Sequence, residues 1–147
     1  MNIKIILLSL LFIISIGKVN AQADKNKPKS IIVTSSSIKK YYQQSELETM
    51  NKGELQALYI ERIKVLVNTL PYIALATKPG LTMTDIGIPD DVNNRKLLDT
   101  QQEETRVFLQ STVDFQAKML PYCDKGNLIY SILFYESTLK ELNTINQ

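Results

Sequence analysis

The stretch MLPYCDKGN, residues 119–127, holds the only thiol of the 147-residue chain, Cys123, two positions before Lys125. A thiol beside a cation and near the start of a helix can have a lowered pKa and act as a nucleophile. Nucleophilic catalysis also needs a base next to the sulfur, and the chain contains no histidine. The same absence removes Ser-His-Asp and Cys-His mechanisms, histidine-containing zinc sites and the Glu-x-x-His motifs of di-metal bundles. One cysteine cannot build a thiolate cluster. Neither a phosphate-binding P-loop nor a G-x-G-x-x-G fingerprint occurs. Two roles remain for Cys123: a small residue filling an interhelical turn, or, in an exported protein, a bridge between two chains.

Carboxylates are the other chemical resource. Asp85, Asp90 and Asp91, with Asn93 and Asn94, gather oxygen donors within ten residues. The alternating order of an EF-hand loop is missing, and Asp and Asn are the usual residues of helix caps, so capping is the expected role. Glu46, Glu48, Glu103 and Glu104 are expected to face solvent. The sequence therefore assigns no catalytic residue, no metal ligand and no cofactor.

Binding is the remaining class of function. Tyrosine supplies large contact area in protein interfaces. Tyr41 and Tyr42, ahead of the main helices, and the apolar residues Leu81, Met83, Ile86 and Ile88 of one long loop form the candidate contact patch. Closing the core is the competing role for each of them.

The first 21 residues look like an export signal. Lys4 gives a basic start, Ile5 to Ile16 is a short apolar run, and Val19-Asn20-Ala21 presents small residues for cleavage after Ala21. The run is shorter than the roughly 20 residues a bilayer span needs. A chain rich in Asn, Lys and Ile with such a signal looks bacterial, and the mature protein is expected in the periplasm or outside the cell. Cleavage leaves 126 residues, one domain's worth. Of the chain's 17 basic residues two are lost with the signal, which leaves 15 to balance 15 acidic ones. A neutral chain has no electrostatic reason to bind nucleic acid, and the mature chain is not expected to span a membrane.

Residues 22–36, Lys- and Ser-rich, read as a flexible leader from which Ile31, Ile32 and Val33 dock on the body. Residues 37–147 read as one all-α domain, an up-and-down bundle of three main helices with a short fourth from about Ser37 to Thr49. Ser45 with Glu48, and Asn51 with Glu54, are two capping-box starts for the first main helix. Leu55, Leu58, Tyr59, Arg62, Ile63, Leu66, Val67 and Leu70 then fall at three- and four-residue steps, a buried face that Pro71 ends. The second main helix opens at Asp90-Asp91 and runs to about Leu120. Its periodic set is Leu98, Thr105, Phe108, Leu109, Thr112, Val113, Phe115 and Met119. The third starts near Asp124 or Asn127 and buries Leu128, Ile129, Ile132, Leu133, Tyr135, Leu139, Leu142 and Ile145.

Leu-Pro-Tyr occurs twice, at 70–72 and at 120–122. With little similarity around it, the repeat reads as two helix ends rather than a duplication. Tyr122 is expected to pack against the end of the bundle.

A non-enzymatic exported protein that binds another protein, as an accessory, an inhibitor or immunity-type partner or a chaperone, fits these features best. The alternative is a helical bundle holding a small apolar molecule, lined by the threonine-bearing face of the second main helix.

Overall fold

The computed structural model describes residues 28–144. The expected export signal and Ile145 lie outside them. Among the described residues four α-helices make an all-α bundle: α1 (Gln44–Thr49), α2 (Lys52–Thr69), α3 (Val92–Met119) and α4 (Lys125–Thr144). Single 3-10 turns occupy Leu70–Tyr72, Thr84–Ile86 and Leu120–Tyr122. Among the described residues no helix is long and apolar enough to cross a membrane.

The starts of these helices follow from their caps. Asn51 accepts from the Glu54 backbone N–H at 3.0 Å, and Glu54 accepts from the Asn51 backbone N–H at 2.8 Å. This reciprocal pair satisfies two donors that an unpaired helix end would leave orphaned. The short helix α1 is capped two residues earlier than Ser45 suggests. Gln43 is its N-cap, and the Gln43 backbone N–H donates to Glu46 at 2.8 Å. Residues 37–43 are not helical, so the fourth helix is six residues long rather than spanning the stretch from Ser37. Asp91 caps α3 by accepting from the Asn94 backbone N–H at 2.9 Å.

The helix ends share one cause. Pro71 and Pro121 cannot donate to the ladder, and α2 and α3 each pass into a 3-10 turn, Leu70–Tyr72 and Leu120–Tyr122. The repeated tripeptide is therefore the same local device used twice.

α2 is the central helix. It packs most extensively on α4 and less on α3, while α1 packs on α4, and α3 and α4 share little direct contact. One core cluster joins Leu47, Leu55, Leu120, Leu128, Ile129 and Ile132. A second joins Val65, Leu66, Leu139 and Leu142. A third sits at the other end, where Ile31, Ile32, Tyr72, Ala76, Met83 and Leu98 are buried together. Ile31 and Ile32 reach it because their segment pairs with the long loop. The Ile31 N–H donates to the Leu81 carbonyl at 2.8 Å, and the Gly80 N–H to the Ile32 carbonyl at 3.0 Å. Gly80 adopts φ 95°, a conformation that costs glycine little and other residues much.

The polar run of α3 has a clear purpose. Gln102 donates to the Ser30 and Ile31 carbonyls at 2.9 and 3.0 Å, and Asp99 pairs with Lys29. These contacts fasten the N-terminal segment to the helix.

Candidate functional site

Two features stand apart from ordinary core packing. The first is a buried ion pair between α2 and α4. Arg62 and Glu136 are each 1 % exposed. Arg62 donates from Nε and Nη2 to Glu136 Oε1 at 3.0 and 2.7 Å, and from Nη2 to the Lys40 carbonyl at 2.6 Å. Its Nη1 lies 2.9 Å from Glu61 Oε2. Glu136 Oε2 accepts the Tyr42 backbone N–H at 2.9 Å. Each oxygen of the carboxylate and each nitrogen of the guanidinium is engaged. A saturated network of this kind holds the chain at Lys40–Tyr42 against two helices; it presents no free group to a substrate.

Next to it, the Tyr59 and Tyr135 hydroxyls lie 3.2 Å apart with ring centroids at 5.4 Å. Burial, followed by the Tyr135 hydrogen bond, pushes the Tyr59 phenol well above the usual tyrosine range.

The second feature is an uncovered aromatic surface. Phe108, Phe115 and Met119 on α3 are 57 %, 59 % and 46 % exposed, and Tyr122 in the following turn is 88 % exposed. Tyr130 and Phe134 are exposed on α4. This corrects the sequence reading of α3. Of its eight periodic residues only Leu98, Thr105 and Leu109 are buried. Phe108 and Leu109 are neighbours in the chain and point about 100° apart on a helix, so one partner cannot cover both. α2 covers the Leu109 side, and with α4 largely out of reach the Phe108 side stays open. Tyr122, expected to close the bundle, points to solvent instead, because the following turn buries Leu120. Phe134 gave no signal beyond a side chain outside the periodic stripe of its helix.

The contact patch read from the sequence is placed differently. Met83 is buried and offers no surface, while Leu81, Ile86 and Ile88 are half-buried against the Ile31–Ile32 cluster. Tyr41 and Tyr42 are half-buried, and each lies under a lysine: Lys140 is 4.7 Å from the Tyr41 ring centre and Lys40 is 4.5 Å from that of Tyr42. Tyr41 and Tyr42 lie on the segment that the ion pair holds, whereas the 81–88 residues close the opposite end of the core.

Cys123 is half-buried, its N–H bonded to the Leu120 carbonyl at 3.0 Å, and it packs against the Leu47–Ile132 cluster. The carboxylates are occupied. Asp85 accepts the Thr82 N–H and hydroxyl at 2.8 and 2.7 Å. Asp90 takes a two-pronged bond from Arg95 with both arms at 2.7 Å, which holds its carboxyl below the usual range. Thr105, the threonine expected to line a ligand cavity, turns its hydroxyl back to the Gln101 carbonyl at 2.8 Å. Neither Thr105 nor Thr112 lines the cavities of about 310 and 230 Å³ that border α3, and a further cavity of about 200 Å³ is the most aliphatic in its walls. It lies between the N-terminal segment, α2 and α4, lined by Ile38, Val65, Leu139 and Leu142 with Ser36 and Thr69.

Comparison with protein-family models, curated proteins and solved structures returns no match to this chain.

Proposed function

We propose that this chain is an exported, non-enzymatic helical protein that acts by binding another protein, and that the uncovered aromatics of α3 and α4 are its contact surface. The observation that carries the reading is the exposure of Phe108, Phe115 and Met119 on α3, of Tyr122 in the turn after it, and of Tyr130 and Phe134 on α4. Large aromatic side chains mostly go inside or find a partner, because leaving one in water forgoes about 1.5–3 kcal/mol. Exposed apolar patches larger than a few hundred Å² mark interaction sites. An accessory, inhibitor or immunity-type role is consistent with a rigid bundle that carries such a face.

Cross-linking of the tagged protein in its own envelope fraction, with mass spectrometry of what is captured, tests this. One dominant partner is expected, and its capture should fall sharply for Tyr130→Ser/Phe134→Ser. Absence of any protein at near-stoichiometric yield would count against the reading.

One observation favours a second reading, a small apolar ligand. The cavity beneath the N-terminal segment combines four aliphatic walls with the Ser36 and Thr69 side chains. Native mass spectrometry of gently purified protein would reveal a bound molecule, and Leu139→Phe should expel it.

A further inference from the structure

We infer that the α3 stripe is occupied by a second copy of this chain, giving a twofold dimer in which two α3 helices run antiparallel. This rests on reading the exposed aromatics as a contact surface and names the occupant of the α3 part.

Three observations carry it. The first is spacing. Phe108, Phe115 and Tyr122 recur every seven residues, and Met119 lies four residues after Phe115. Phe108, Phe115 and Met119 fall on one narrow stripe of α3, the geometry by which two helices pack along their length, and the 3-10 turn that follows carries Tyr122 just past its end. The second is internal symmetry. An aromatic stands seven residues to either side of Phe115, Phe108 and Tyr122, so the aromatic part of the stripe reads alike in both directions, with Ser111 as the small counterpart of Met119. A twofold axis at Phe115 sets the Phe115 side chains against each other and Phe108 against the second copy's Tyr122. An isologous contact requires such self-complementarity. The pairing also sets Lys118 opposite Thr112 and Asp114 opposite Gln116, so no like charges meet.

The third is area. With aromatic side chains of roughly 150–250 Å² each, the four exposed residues present on the order of 500 Å² of apolar surface. A standard interface buries about 800 Å² per partner, of which about 65 % is apolar in a homodimer. The stripe alone supplies that apolar share. Phe115 on the axis is the central anchor, where truncation costs most.

The arrangement separates Cys123 from its counterpart. Each lies eight residues from the axis, four of them in α3 and the rest through a 3-10 turn with a longer rise, so the pair stands at least about 24 Å apart along the helix direction. A disulfide needs Cα atoms within about 7 Å. Cys123 should therefore not link the copies, whereas a cysteine at 115 should.

Sedimentation equilibrium of the purified chain tests the pairing. A dimer is expected, with Phe115→Glu weakening it by roughly 30-fold or more while the helical circular dichroism stays unchanged. In a Cys123→Ser background, Phe115→Cys should oxidise to a covalent dimer and Gln110→Cys, on another side of α3, should not. A monomer at about 100 μM, or a dimer indifferent to Phe115→Glu, would overturn self-pairing. If the monomer still captures a different protein through Tyr130 and Phe134, the binding function stands and only its α3 occupant is wrong.

Discussion

Tyr72 and Tyr122 end the same tripeptide in the same kind of turn, yet one is 6 % exposed and the other 88 %. Leu70 and Leu120 are reversed: Leu70 is exposed and Leu120 buried. Local sequence set the 3-10 turn; the way each turn meets the bundle set which side chain goes inside. Tyr72→Ala should therefore destabilise by about 3–5 kcal/mol, the usual cost of emptying an aromatic site. Tyr122→Ala should change the stability of the single chain, measured at a concentration too low for self-pairing, by no more than about 0.5 kcal/mol. Urea titration of the two variants decides it, and comparable losses would contradict the burial described. Asp90 gives the second residue-scale prediction. Its carboxyl is held below the ordinary range by the Arg95 hydrogen bonds. A depressed carboxylate pKa stabilises above the unfolded value of about 4, and that contribution is lost as pH falls through the lower folded value. Asp90→Asn should melt below the parent at pH 7, and the difference should close as pH drops beneath about 4. A difference that is constant with pH would show that the Arg95 contact carries no stability.

Between elements, the Arg62–Glu136 pair is the contact that specifies how α2, α4 and the N-terminal segment fit together. Removing one partner leaves the other charge buried without compensation, a loss of about 3–5 kcal/mol. Glu136→Ala should show that loss. Arg62→Met/Glu136→Leu should recover part of it, because an apolar pair of similar volume avoids the desolvation penalty but leaves the Tyr42 N–H and the Lys40 carbonyl without their partners. Chemical denaturation of the single and double variants measures the coupling, and simple additivity would refute it. Half of this pair was legible in the sequence. Arg62 stood as the one charge in an otherwise apolar stripe, and Glu136 occupies the equivalent position, four after Ile132 and three before Leu139, on its own helix. Two such intrusions on buried faces call for each other. Helix existence, the Asn51 and Asp91 caps and the stops at Pro71 and Pro121 were legible for a similar reason, since each depends on neighbours within a few residues. The exposed side of α3 was not. Periodicity states that Phe108, Phe115 and Met119 share a face; which face a neighbouring helix covers depends on α4 lying beside α2 rather than beside α3.

Across the whole molecule, the fold closes through a segment with almost no regular structure. Residues 28–43 cross one end of the bundle, insert Ile31 and Ile32 beneath the 81–88 loop, and finish on the Arg62–Glu136 pair. The four loop residues read as a contact patch are the lid over those two isoleucines, which explains why an apolar loop need not bind anything. If segment, loop and helices form one cooperative unit, the two amides bonded across segment and loop, Ile31 and Gly80, should exchange with solvent only on global opening. Their hydrogen-exchange protection should then approach that of core amides in α2 and α4, such as Leu66 and Ile132. Ile32→Ala should cost about 2–5 kcal/mol and lower the protection of all four amides together. Fast exchange at Ile31 and Gly80 beside slow exchange in the helices would mean that the segment opens on its own. The cavity lined by Ser36, Ile38 and Thr69 would then widen with it, giving a small molecule readier access to the Val65, Leu139 and Leu142 walls. Uniform protection would mean that the cavity keeps its present size, and that the N-terminal segment is as much a part of the folded bundle as its helices.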